Sequence, residues 1–508
     1  MTSIDDKIGL SVQPTRTPSF RRQRALVPVL LFLGMLVAVI SSLGAPLIPT
    51  IAAVDHVSMS SAQWSLTVTM LVGAVATPVM GRLGDGPHRR KAILTGLAVV
   101  LVGSVLAALP LGFAWLLAGR ALQGAGIGLM PLAMATVRDA VPPERARPAL
   151  ATLSLTSAAG VGLGYPVTGL LARYFGLHSG FWFAAIAAAA TLAATTVVLP
   201  PSPKRPAHRL DLLGAVLLGL GLAGLLFAIT QAERWGWTSA RLLALAAVSV
   251  LLLVWWAAHE LRTPHPLVDV RLVRHRAVLA ADLTAVLSGV GLYLLMSLVT
   301  RFVQTPAGAG YGFGASVVVA GLVLVPFSAA SMVAGRLVRL LARTIPLARL
   351  LPLGCLISLV GMVLFVLARS SLWQVFVTTG ITGLGVGFIF SVMPALIVGA
   401  VPAQETGSAI SFNQVVKYIG YSIGSALSAV VLQAHTTAGR TLPTDDGYGT
   451  AGVLGCAVWV VTALVAYLLL RPHPPGTRTV ASAGTQQADT GPVPPQGGMT
   501  PHPTRGDR

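Results

Sequence analysis

Apolar runs of about 20 residues follow one another along the chain, separated by short polar breaks, the pattern of helices that cross a bilayer. Membrane β-barrel strands alternate apolar and polar positions over roughly ten residues, and that pattern is not seen. The breaks divide the sequence into fourteen predicted spans: 25–48, 62–81, 92–110, 113–137, 149–172, 180–199, 211–230, 240–259, 277–300, 315–336, 349–368, 372–400, 406–433 and 451–470. The first run is too long for a cleaved signal and reads as a permanent span. A polar tail, 1–24, and a Pro/Gly/Thr-rich tail, 472–508, have the composition of disordered segments. The expected class is an all-α polytopic membrane protein.

Composition agrees with this pattern. Of 508 residues 54% are hydrophobic and 10% charged, against about 25% charged in a soluble domain. Mean hydropathy is +0.78. The formal charge of +19 could suggest nucleic acid, but the basic residues cluster in alternate breaks, which is the positive-inside pattern. With the N-terminus in the cytoplasm, about 27 of the 35 lysines and arginines fall in the tails and cytoplasmic loops and about 6 outside. An even number of spans with both tails cytoplasmic follows, in the cytoplasmic membrane, with no nucleic-acid partner. Cys355 and Cys456 both lie inside apolar runs, so no disulfide framework is indicated.

Two segments recur. "GRLGDGPHRR" after span 2 matches "GRLVRLLAR" after span 10. "GAGIGLMPLAMATVRDAVPPERA" in and after span 4 matches "GLGVGFIFSVMPALIVGAVPAQET" in and after span 12. Both pairs are displaced by eight spans in the same order. That predicts two six-helix halves, 25–199 and 277–471, with two inserted helices and their linkers in 200–276.

At these residues the chain resembles the major facilitator superfamily, in particular its fourteen-helix drug:proton antiporter branch. The family's G-x-L-a-D-r-x-G-r-[RK] loop is matched by Gly81, Leu83, Asp85, Arg89 and Arg90. The helix-4 pattern l-x-x-R-x-x-Q-G is met by Leu117, Arg120, Gln123 and Gly124. The helix-5 antiporter pattern G-x-x-x-G-P-x-x-G-G is partly kept by Pro166 and Gly169, with Tyr165 and Leu170 at glycine positions. "HELRTPHPLVDVRL" is similar to the segment after the second inserted helix, and "NQVVKYIGYSIG" to N-x-x-x-R-x-x-G-x-x-x-G with Lys417 in the arginine position. Many members carry an aspartate in helix 1; here that helix reads "VAVISSLGAPLIPTI", with no acid.

The residues admit physical readings of their own. Gly81 and Gly84 permit a tight turn and close helix approach. Asp85 can meet a helix dipole or an arginine, and Arg89, Arg90 and Lys91 hold the corner on the cytoplasmic side. The resemblance implies a latch between the halves, single-sided because the second copy lacks the Asp; the alternative is a topogenic loop. Arg120 lies within a span, where a charge costs about 2.5–3.5 kcal/mol on insertion scales. It shares a helical face with Gln123 and reads as a cavity stripe or as a structural ion pair. Lys417, close to Asn413 and Gln414, has no acid within a helical turn; it could repel cationic cargo, attract anionic cargo or pair across the bundle. Asp282 is the acid most clearly inside an apolar run: a proton carrier if desolvation holds it protonated, a helix cap otherwise. Gly160, Gly164 and Gly169, and Gly420 with Gly424, permit close packing, and Pro166 would bend its helix.

Together these predict a secondary active transporter, not an enzyme: alternating access, proton-coupled export of amphipathic small molecules, no cofactor beyond the proton gradient, acting as a monomer in the bilayer. Export of one endogenous natural product, and import by symport, are the alternatives within transport. A membrane enzyme would show a reactive triad or metal cluster, and a receptor a soluble domain; neither is visible in the sequence.

Overall fold

The computed structural model describes residues 20–43, 47–57, 59–62, 64–202, 211–264, 266–402, 405–437 and 442–471. Residues 1–19 and 472–508, nearly all of the two expected disordered tails, lie outside that set. The last five residues of the expected N-terminal tail are helical instead, because the first helix begins at Phe20.

The first half contains α1 (Phe20–Ser42), the short α2 (Ile48–Val54) and α3 (Met59–Ala62), α4 (Trp64–Asp85), α5 (Arg89–Ala108), α6 (Phe113–Ala125), α7 (Leu129–Ala140), α8 (Pro143–Phe175) and α9 (Ser179–Val198). Then come α10 (Leu212–Trp235) and α11 (Ala240–Arg262). The last half contains α12 (Arg276–Gln304), the short α13 (Val317–Leu322), α14 (Val325–Leu341), α15 (Leu347–Leu367), α16 (Leu372–Ala400), α17 (Thr406–Ala434) and α18 (Asp445–Leu470). Among the described residues there is no strand, and twelve helical stretches are long and apolar enough to cross a membrane.

Where the helices depart from the predicted spans, the cause is local. The first span, expected to reach residue 48, ends at Ser42, just ahead of Gly44 and Pro46, residue types that disfavour helix continuation. The fourth, expected to be continuous, is divided by a 3-10 turn at Gly126–Gly128. There three alternate glycines let neighbours in: a Cβ on Gly128 would lie 2.8 Å from the Met80 side chain of α4. The tenth is broken between α13 and α14, where Pro326 begins the second piece. The fifth runs unbroken as α8 through both Pro148 and Pro166, beyond both predicted ends.

Both halves use the same internal pairing, first long helix against fifth. A Cβ on Gly34 of α1 would meet Thr156 Oγ1 of α8 at 2.5 Å, and one on Gly160 would meet the backbone of Ala38 at 2.8 Å. Gly164 similarly faces Ser42. Gly169 does not share this packing: its nearest neighbour would be Val318 Cγ2 at 3.9 Å. In the other half a Cβ on Gly289 of α12 would meet Lys417 O of α17 at 2.7 Å, and one on Gly424 would meet the Val290 carbonyl carbon at 2.9 Å. These registers run both pairs parallel. Arg120 joins the end of α1 to the start of α4, Asp85 the end of α4 to the start of α17, and Thr305 the end of α12 to the start of α18, so α1 starts and α18 finishes at one end, here the tail end. The halves meet through α4 on α17 and α14 on α8, while α10 rests on both α4 and α17.

Close approach of α12 and α17 makes a prediction. Gly424→Val should lower the stability of the purified protein by about 1–3 kcal/mol through overpacking, read as a fall in melting temperature. Gly399→Val, where a Cβ would meet nothing within 4 Å, should leave it unchanged.

Candidate functional site

The N-terminus of α17 has no side-chain cap of its own: Glu405 occupies the N-cap position without bonding back. Its first backbone N–H groups therefore need acceptors from elsewhere. Asp85, the last residue of α4 in the other half, supplies both: Oδ1 accepts from Gly407 N at 2.7 Å and Oδ2 from Ser408 N at 2.9 Å. That is the bond pattern of an N-cap aspartate, and it places a negative charge at the positive end of the helix dipole. The approach depends on missing side chains. A Cβ on Gly81 would lie 2.8 Å from Gly407 O, and one on Gly407 would lie 2.8 Å from Asp85 Oδ1.

Basic residues surround this cap. Arg82 makes a two-pronged ion pair with Glu405 at 3.0 and 3.1 Å, a second bond between the halves. Arg138 at the end of α7 donates to the final carbonyls of α16, reaching Val401 O at 3.2 Å. Arg89 is only 4% exposed, so it does not simply reach into solvent as a loop anchor would. It pairs with Asp139 at 2.8 Å and bonds the carbonyls of Gly84 and Ala135, tying the ends of α4 and α7 to the start of α5. Arg90 holds Thr196 O and, through its own N–H, Ser202. Gly84 would meet Leu132 at 3.3 Å if it carried a Cβ.

The second copy of the motif sits at the equivalent contact of α14 with α8. Gly335 faces Leu155, and Arg339, at the position of Asp85, donates to Thr152 Oγ1 at 3.3 Å. Thr152 lies more than two turns into α8, so this contact, unlike that of Asp85, involves no helix N-terminus.

The inserted helices reach the same point. Ser408, whose N–H bonds Asp85, also donates its hydroxyl to Leu267 O at 2.9 Å in the linker after α11. Leu267 and Val268 are buried with Leu217, Leu222, Trp256 and Val415 in a small separate core. Within it Trp256 donates to the buried Glu260 at 2.8 Å. Sequence reasoning placed Glu260 in a family pattern without giving it a role, and missed Arg82, Arg138, Ser408 and Leu267.

Deeper in the bundle the other candidates fall into two groups. Arg120, fully buried, donates to Ser65 O at 2.9 Å, Ile40 O at 3.1 Å and Gln123 Oε1 at 2.8 Å, and Gln123 passes the chain to Ser104 at 2.9 Å. Ile40 is in the last turn of α1, so the guanidinium satisfies a C-terminal helix carbonyl and sits at the negative end of that dipole. No carboxylate pairs with it among the described residues, and Nη2 has no partner. In the other half Asp282 accepts from Asn413 at 2.9 Å, and its Oδ2 has no partner. Lys417, one turn further along α17, donates to Gln414 and lies 4.4 Å from the centre of the Phe390 ring of α16.

A family model described as Major Facilitator Superfamily matches residues 30–368 and 283–494 of the chain. Multidrug resistance protein Stp of Mycobacterium tuberculosis is 29% identical over 421 residues, 80% of this chain and 75% of that protein. The tetracenomycin C resistance and export protein of Streptomyces glaucescens is 28% identical over 412 residues, 78% and 74% of the two chains. The crystal structure of the human organic anion transporter MFSD10 (TETRAN) matches with a TM-score of 0.60 over 90% of this chain and 100% of that one, at 19% identity, a likeness of fold.

The cap predicts a measurable release. In Asp85→Ala the amides of Gly407 and Ser408 should exchange hydrogen at least tenfold faster, equivalent to about 1.4 kcal/mol or more of lost protection. Exchanging the charges, Arg82→Glu with Glu405→Arg, should restore most of what either single change loses.

Proposed function

We propose that this chain, which belongs to the major facilitator superfamily, is a secondary active exporter that moves amphipathic small molecules outward across the cytoplasmic membrane as protons enter. The observation that carries the proposal is the cap made by Asp85 on α17. Two halves that rock about a midplane site need a closure that is stable when made and breakable without unfolding. A carboxylate from one half on the helix end of the other is such a closure, since water can satisfy both partners when they part. The resistance and export names of the relatives support outward transport of small molecules.

In this reading the helical stretches 113–140 and 143–175 cross the bilayer with the twelve others, giving fourteen spans. The tail end is cytoplasmic, as the distribution of basic residues indicates, so the cap closes the cytoplasmic side. Asp282 is the proposed proton carrier. Its unpartnered Oδ2 leaves room for a proton, and Asn413 is positioned to bond either form of the carboxyl. The protein works as a monomer without a cofactor. A dedicated exporter of one antibiotic-like product is the second reading, favoured by the relative whose name specifies tetracenomycin C.

Inverted vesicles acidified inside and challenged with a panel of dyes and antibiotics test this. Cargo addition should release protons from the lumen, and Asp282→Asn should cut that release at least tenfold while cargo still binds. Undiminished release from Asp282→Asn would remove this residue as carrier. No response to any compound, with the protein demonstrably inserted, would overturn broad export.

A further inference from the structure

Helical spacing puts Gly407, Ser411, Gln414, Tyr418 and Tyr421 on one face of α17. At the tail end that face meets α4 of the other half, with a Cβ on Gly81 coming within 2.6 Å of Ser411 Cβ. Above it Tyr418 and Tyr421 are partly exposed, and Tyr421 packs against the main core. Tyr421 stacks on Tyr293 of α12 with ring centres 4.1 Å apart and an angle of 22°, and Tyr418 meets Tyr421 edge-on at 5.7 Å. Lys417 stands beside them, over the Phe390 ring. From their places in α17 and α16, Lys417 and Phe390 both lie about 15–16 Å from the tail end, near mid-bilayer.

The charge at this depth is one-sided. Lys417 is 3% exposed, and among the described residues no carboxylate pairs with it. Its contacts are a glutamine oxygen and a ring face. Arg120, deep in the first half, likewise has no carboxylate partner among the described residues and one nitrogen unbonded. In the first half the acids of the long helices, Asp85, Asp139 and Glu144, stand at the tail end. Asp282 is engaged by Asn413, about 10 Å from that end. A cationic aromatic guest would meet like charge in a site of low dielectric. An anionic one would bring the counter-charge that Lys417 lacks.

We infer that the midplane site selects flat aromatic molecules carrying a negative charge, a carboxylate or an ionised phenol, with Lys417 as the charge partner and Tyr293, Tyr418 and Tyr421 as the stacking wall. This deepens the export reading and rests on it for the place of the site. The missing helix-1 acid is consistent with it: no carboxylate faces Lys417 from α1.

Equilibrium binding to the purified protein tests the inference without transport. The probes are 3-hydroxy-2-naphthoate, its neutral methyl ester and 2-naphthyltrimethylammonium, followed by ligand fluorescence. The wild-type protein should bind the naphthoate at least tenfold more tightly than either other probe. Lys417→Gln should erase that preference, Lys417→Arg should retain it, and Tyr421→Ala should weaken the naphthoate and its ester alike. Equal or tighter binding of the ammonium probe by the wild-type protein, which needs no variant to fold, would overturn the assignment. So would a preference unchanged in Lys417→Gln of normal melting temperature. Selective naphthoate binding without proton release in vesicles would instead leave the site standing and remove the export reading.

Discussion

The closed form of this bundle depends on a helix whose N-terminus is capped by the other half of the protein. α17 begins without a capping side chain, and Asp85 of α4 accepts from its second and third amides. Buried backbone donors must find partners, so α17 can reach this position without cost only when α4 is beside it. The two glycines that let the backbones touch, Gly81 and Gly407, bring the carboxylate within reach. The ion pair of Arg82 with Glu405 and the bond from Arg138 to the end of α16 then close the same end from either side. The contact can be broken because every group in it is polar and lies at a helix end, where water can replace it.

The inserted pair is more than a length of extra membrane helix in this arrangement. α10 lies on α4 and α17, the two helices joined by the cap, and the linker after α11 accepts the hydroxyl of Ser408. One residue thus bonds the first half with its amide and the insertion with its side chain. Separation of α4 from α17 moves at least one of them along α10. Among the described residues the opposite contact, α14 on α8, has no such brace, and Arg339 donates there to Thr152.

Much of this was legible in the sequence. Apolar run lengths gave the all-helical membrane class. "GRLGDG" identified Asp85 as worth following, because a charge set between glycines at a span end is costly unless it has a partner. Its partner was not legible. Gly407 and Ser408 lie 322 and 323 residues away, and backbone amides have no sequence signature. The same holds for Arg120, whose partners are largely backbone carbonyls of other helices. Hydropathy also misplaced helix ends. Arg82 and Asp85 look like loop residues, yet they form the last turn of α4 because their charges are satisfied across an interface. Glu260 appeared as one letter of a loop pattern and is buried against Trp256.

The central claim is that the tail-end closure and an opening at the far end are two sides of one equilibrium, held in its present position by Asp85. Spin-label distances measure both ends directly, using pairs at the exposed positions His88 with Gly399 at the tail end and Leu111 with Leu442 at the other. The account predicts one short tail-end distance in the wild-type protein. In Asp85→Ala, a longer tail-end population should grow in step with a shortening at the far end. A tail-end distance that lengthens while the far end stays fixed would mean that the cap merely staples a helix terminus, and would contradict the account.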